Sequence, residues 1–442
     1  MAFVDRDSCE CAKSECELFS VPPTQTSIES CTMVEFHPVS SIVHGLPIEF
    51  NVGGSGQDYI DLANTLLYIR AKITRANGDD IDNNDVVAPI NLTLHSMFSE
   101  MELKLNDTLV SSLDSTYAYR AYLETLLSYS TEAKKSQLTA SMYYKDTAGS
   151  LDILALDGAG ATNLGLIKRH SYFAESNEVD MVGRLHVDLA FQERLIPSDV
   201  GLKLKLQRSK DSFALMAPGN NPTFKLQIVE CKLLVRKVRV TPSVYIGHAK
   251  QLEVENAKYP ITRVVCKTFT VSAGNLNIVQ ESLFSGQLPI RLFIAAVDND
   301  AFNGAYGKNP FNFKHLDLTH LKVFLDGTQQ HIKPLDVDYT ADSPQFVQAY
   351  LTLFEGTGKF GKDEGIDLAR DEYNRGFTLY GFDLTPDQSE RDHLNLQREG
   401  SVRIEARFKT ALPNTINVVV YAEFENFVYI DKHRNVIYDY SK

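Results

Sequence analysis

Two stretches of this chain carry the same features in the same order, and that echo restricts the possible folds more than any other property. In the first, ELKLNDT (102–108) reads as a strand closed by a tight Asn-Asp turn, and YAYRAYLETLL (117–127) follows. In the second, KVFLDGT (322–328) reads as a strand closed by an Asp-Gly turn, and PQFVQAYLTLF (344–354) follows. AYLETLL (121–127) and AYLTLF (349–354) match closely. Further on, HVDLAFQERLIPSDVGLKLKLQ (186–207) parallels GFDLTPD (381–387) followed by EGSVRIEARF (399–408). Matches in one order, at offsets of roughly 200 residues, point to a tandem duplication of one β-domain.

The texture around these blocks is that of many strands separated by turns. VEFHPV (34–39), LPIEFNV (46–52) and TLLYIRAKIT (65–74) are rich in β-branched and aromatic residues, with Gly, Asp and Asn clustered between them. Strands are also expected at 100–105, 183–191, 201–207 and 224–240, and then at 261–272, 289–297, 321–325, 376–384, 401–408 and 415–430. The strict alternation of LKLKLQ places one face on a core and the other on water or a neighbour. Tyr117 to Lys135 has helical spacing and ends in lysines that suit the helix dipole, and 344–354 is also helix-like. A Gly- and Ala-rich stretch at 148–165 reads as a surface loop. The expected fold is therefore all-β: two tandem eight-stranded jelly-roll sandwiches, a double jelly roll, with short inserted helices. The expected divisions are an extended arm over 1–30, containing the Pro22-Pro23 breaker, a first jelly roll over 31–240 and a second over 241–442.

With 44 basic and 57 acidic residues, the chain carries a formal charge of −13. A negative field of that size disfavours general DNA or RNA binding. The best basic run, KLLVRKVR (232–239), reads as a strand with a solvated basic face. No apolar stretch approaches the ~20 residues that span a bilayer. The amino end lacks the basic start and apolar stretch of a signal peptide, so a reducing compartment is expected.

Patterns that would carry chemistry are weak. GTGKFGKD (356–363) satisfies G-x-x-x-x-G-K, but Asp363 stands where Ser or Thr would hold magnesium, so it reads as a surface loop. Cys9, Cys11, Cys16 and Cys31 supply the four thiols of a structural zinc site, yet without paired C-x2-C knuckles. Disordered thiols or a contact between subunits is the preferred reading, with zinc or disulfides left open. Cys231 and Cys266 read as small buried hydrophobes. His170, His186 and His315 read as ordinary surface or strand positions, and Asp58, Tyr59 and Asp61 as a strand start. Asn91 and Asn106 head glycosylation-type triplets that carry no weight without a secretory route. No catalytic, cofactor-binding or metal-binding residue is assigned, and no cofactor is expected.

ELFSVPPTQTSIE (17–29), LPIEFNVGGSGQDYIDLANTLLYIRAKI (46–73), APINLTLHSMFSEMELKLND (88–107) and STYAYRAYLETLLSYSTEAKKSQLTASMYYKD (115–146) resemble the hexon-type major capsid proteins of Polinton or Maverick elements and their adintovirus relatives. AYGKNPFNFKH (305–315) and FTLYGFDLTPD (377–387) resemble the same family more weakly. The resemblance implies a non-enzymatic structural subunit that trimerises into pseudo-hexameric capsomers of an icosahedral virion shell. Its partners would be itself, neighbouring capsomers and a minor (penton) protein, with assembly inside the host cell, in nucleus or cytoplasm. The competing expectations are a penton protein, a tandem jelly-roll glycan-binding or attachment protein, and a hydrolase using paired carboxylates.

Overall fold

The computed structural model describes residues 7–438 apart from 12, 44, 55, 84, 112–114, 220–223, 331–333, 341–343 and 389–392. Its first half is built from β1 (Ile28–Phe36), β2 (Ile48–Val52), β3 (Asp58–Arg75), β4 (Phe98–Leu105), β5 (Thr108–Leu109), β6 (Val179–Arg184), β7 (Leu202–Arg208) and β8 (Phe224–Val240). These form two four-stranded antiparallel sheets in the orders β1-β8-β3-β6 and β2-β7-β4-β5.

The second half contains β9 (Ala257–Val271), β10 (Asn277–Gln287), β11 (Arg291–Asp298), β12 (Leu318–Leu325), β13 (Thr328–Gln329), β14 (Leu379–Asp383), β15 (Glu399–Phe408) and β16 (Ile416–Ile430). Its sheet orders are β9-β16-β11-β14 and β10-β15-β12-β13, with short strands at Leu335–Asp336 and Val436–Tyr438 added. Adding eight to every strand number of the first half reproduces the second. Each half is a jelly roll, and the duplication read from the sequence is present strand for strand.

The local chemistry explains the elements. In β7, Leu202, Leu204 and Leu206 are buried while Lys203 and Lys205 face out, so period-2 alternation sets which face meets the core. The two echoing hairpins use the same turn. Asn106 and Asp107 have φ of 44° and 67°, and Asp326 and Gly327 have 47° and 76°, so both central residues are left-handed, as a two-residue hairpin between twisted strands requires.

Because successive strands alternate in direction, the two ends of each half differ. One end, the crown, carries the described parts of the connections that follow β3, β5 and β7 in the first half. The other end, the foot, carries the Asn106-Asp107 turn, the start of β1 and the link to β9. The helix α1 (Tyr117–Ser128) and the helix α2 (Leu164–Phe173) lie in the crown. The helix α3 (Pro242–Leu252) is the foot link, and α4 (Val347–Gly356) occupies in the second half the place that α1 holds in the first. Every residue of α1 from Tyr117 to Leu127 is buried, because it is wedged between the halves.

Several expectations are corrected. The helix expected over 117–135 breaks at Tyr129, whose backbone is extended, and a second short helix covers Thr131–Lys135. The doubling back brings the Lys134 Nζ to the Leu126 carbonyl (2.7 Å), which α1 leaves without a helical partner. The strand expected over 183–191 ends at Arg184, and Asp188–Phe191 is a 3-10 turn that carries Asp188 into the junction. The loop expected over 148–165 is partly tucked in, with Leu151 buried, and α2 begins at Leu164.

Candidate functional site

The densest polar chemistry lies between the halves, on one face of α1. Tyr117, Arg120 and Glu124 share that face by helical spacing. The Arg120 Nε donates to Glu124 Oε1 (2.8 Å) and its Nη2 to Asp188 Oδ1 (2.6 Å). The second Glu124 oxygen lies 2.6 Å from His186 Nδ1. Asp188 Oδ1 also accepts the backbone N–H of Val264 on β9 (3.1 Å), which ties the cluster to the second half. His95 packs edge-on against His186, with ring centroids 4.5 Å apart, and its Nδ1 meets the Tyr117 hydroxyl at 2.9 Å. All six side chains are buried. His186 is therefore not the surface or strand position expected from its sequence context; the buried Glu124 carboxylate needs it as a partner.

Burial alone would raise the pKa of Glu124, but Arg120 and His186 outweigh it and hold the carboxyl below its ordinary range. At Asp188 burial prevails over Arg120 and lifts the pKa. Burial opposes the Arg120 charge, yet Asp188 and Glu124 raise its pKa further. Burial, with His186 beside it, pushes His95 well below the usual imidazole value. Each group in the cluster is engaged by a neighbour, so its chemistry is that of a clamp.

Further contacts line the same junction. Tyr122 stacks on Phe311 at 4.0 Å with parallel rings. The fully buried Arg169 pairs with Asp146 (2.7 Å), whose other oxygen accepts from Asn309 (3.1 Å). Lys145 pairs with Glu372 (2.6 Å). At the foot, the Tyr259 hydroxyl donates to the Leu195 carbonyl (2.9 Å). None of these contacts was legible in the sequence, since Arg169, Asp146 and Asn309 lie far apart along the chain.

The residues singled out from the sequence are not brought together. Gly356 ends α4, and the following residues 357–363 form turns with Phe360 exposed, so a helix precedes the GTGKFGKD stretch where a phosphate loop needs a strand. Cys9, Cys11, Cys16 and Cys31 are exposed free thiols, and among the described residues no three metal-ligating side chains are placed to share a metal ion. Cys231 and Cys266 are buried. The basic run on β8 is met by carboxylates: Lys232 pairs with Glu230 and Glu35, Arg236 with Asp61 and Arg239 with Asp58. Asp58 opens β3, and the Tyr59 hydroxyl meets His248 at 3.0 Å. His170 donates from Nδ1 to the Val87 carbonyl, and His315 stacks on Tyr339. Asn91 is fully buried, so the fold has no room for a glycan there. Among the described residues no helix is long and apolar enough to cross a membrane.

The surface has one conspicuous feature. Residues 7–11 and 13–33 are all exposed, and Phe19 is 98% and Val21 86% exposed. β1 joins its sheet by hydrogen bonds yet leaves Ile28, Cys31 and Met33 uncovered.

No family model matches the chain. It is 28% identical over 433 residues to "Uncharacterized protein F54H12.2" of Caenorhabditis elegans, covering 95% of this chain and 99% of that one. Among solved structures, a chain of the Sputnik virophage determined by cryo-EM superposes with a TM-score of 0.67 at 11% identity, covering 99% of this chain and 94% of that one. The Faustovirus major capsid protein gives 0.56 at 9% identity, with 96% and 93% covered. The mavirus major capsid protein gives 0.54 at 12% identity, with 100% and 97% covered. At such identities the likeness speaks for the fold, and over the whole length of the chain that fold is the double jelly roll.

Proposed function

We propose that this chain is the major structural subunit of an icosahedral virus-like shell and acts by packing against copies of itself rather than by catalysis. The observation that carries the reading is the strand-for-strand repetition of one jelly roll within one chain. Two similar units in each of three subunits present six nearly equivalent sides, so a homotrimer tiles a hexagonal lattice with one gene product. The major capsid proteins of Faustovirus and mavirus share this fold across nearly the whole chain. The two-unit architecture speaks against the penton alternative, expected to carry one jelly roll. Within this reading the arm covers 1–30 and the units 31–240 and 241–442, with neighbouring capsomers and a penton protein as partners. The blocks at 46–73 and 115–146 favour a Polinton or Maverick-like source. Light scattering on the purified full chain tests the proposal: a trimer is expected, with interfaces above ~2,000 Å². Negative-stain images should show three-fold tiles or shells. A monomer at micromolar concentration would refute it.

A further inference from the structure

A groove of about 650 Å³ lies on the first jelly roll, between Ile42 and Val43 on one side and the crown end of β8 on the other. Ile42, Val43 and Ile228 supply its apolar wall, and Lys72, Arg208 and Lys225 its charge, with Glu178 as the acidic member. Lys72 is paired with Asp80, Glu178 with Arg70, and Lys225 donates to the Ala76 carbonyl. Arg208 differs. Its Nη2 donates to the Leu226 carbonyl and its Nε is buried without a partner; the nearby Asp211 carboxylate acts on it through space, and among the described residues no carboxylate forms a salt bridge with it. A desolvated guanidinium of that kind favours an incoming anion.

The groove also borders an open strand edge. β3 covers one side of β8 along its whole length, whereas β1 covers the other only from Leu233 to Val240. On that second side Tyr306, Arg208 and Asp211 satisfy the backbone at Phe224 and Leu226. From Ile228 to Lys232 no described strand or side chain does so. An edge of this kind takes up an extended segment by strand addition.

The chain itself contains a complementary segment. Glu15-Cys16-Glu17-Leu18-Phe19-Ser20-Val21 is acidic at its start and apolar at its end, and it is fully exposed. In an extended conformation Glu15, Glu17, Phe19 and Val21 share one side. It cannot reach its own groove. Ile28 pairs with Val240, and Gln227 lies 13 positions further along β8 (240 − 227), about 43 Å at 3.3 Å per residue. Phe19 is 9 positions from Ile28 (28 − 19), at most about 32 Å of extended chain.

We propose that this groove receives the amino-terminal arm of a second copy, with Glu15 and Glu17 at the Arg208 and Lys225 end and Phe19 and Val21 against Val43 and Ile228. The proposal rests on the self-assembly reading and adds the contact by which one copy holds the next. The test uses the full chain with Cys9, Cys11 and Cys31 replaced by Ser, native Cys16, and Gln227→Cys at an exposed position of the groove lining. Two differently tagged preparations are mixed and treated with a short bismaleimide. The expected product is a cross-linked pair carrying both tags. Lys225→Glu should cut its yield about tenfold, as loss of a charge contact does, and Glu15→Lys with Glu17→Lys in the same chain should restore it. Multi-copy particles that give no mixed-tag product, or a yield indifferent to charge reversal, overturn the groove assignment and leave the shell reading standing. A protein that light scattering shows to be monomeric overturns both.

Discussion

At the scale of single residues, the junction clamp makes two predictions. Truncating one member of a buried ion pair leaves its partner charged and dry, which costs far more than the intact pair contributes. Asp188→Ala should therefore destabilise the chain by about 3–5 kcal/mol, read as a lowered denaturant midpoint, whereas breaking an exposed pair such as Lys203–Asp107 should barely move that midpoint. The second concerns Lys134, buried with its ammonium on the carbonyls of Leu126 and Ile366. Burial lowers its pKa from 10.5 to about 7. The unfolded chain thus holds the extra proton between those two values, and the fold gains stability as pH rises through that window. Unfolding measured from pH 7 to 9.5 should show a positive slope from this group, and Lys134→Met should flatten it. Glu124 acts in the same direction in an acid window: its folded pKa is lowered, so the stability it contributes above pH 4.5 is lost as pH falls through the folded value.

At the scale of elements, the paired hairpins make the duplication measurable. Gly327 holds a left-handed φ of 76°, so Gly327→Val should lower stability by about 1–2 kcal/mol, the strain of a Cβ in that region. Thermal unfolding reads it directly, and Asp107→Gly, at the position equivalent to Gly327, should leave the midpoint nearly unchanged, because relief of its left-handed φ of 67° offsets loss of the exposed Lys203 pair. The sequence made these elements visible because their chemistry is local: alternation marked β7, β8 and β16, and turn residues marked both hairpins. Elements with no local signal stayed hidden. The register of β10 slips between Gln280 and Phe284, which destroys its period-2 pattern. The helix α3 buries no residue, so it has no apolar stripe to find. In α2 the buried face runs through Leu166, Arg169 and Phe173, with a charged residue at its centre. The clamp was illegible for another reason: Arg120, Asp188 and Val264 meet only once both jelly rolls are folded and docked.

At the scale of the whole molecule, the halves are joined by buried aromatic stacking, by ion pairs and by α1 itself, so they should not behave as beads on a string. A single cooperative calorimetric transition is expected for the full chain, and residues 241–442 expressed alone should be poorly soluble, since Phe311, Asn309 and Glu372 would lose their partners. Two separate transitions would contradict this. The contrast between crown and foot has a consequence of its own. The longest connections and most inserted helices of the first half emerge at one end, while the two-residue hairpin turn and the tether sit at the other, with the strand walls between them. Lengthening a crown loop changes what the molecule displays without altering the girth of its strand walls or the way its two halves dock. Such a protein is free to change its coat while keeping its skeleton.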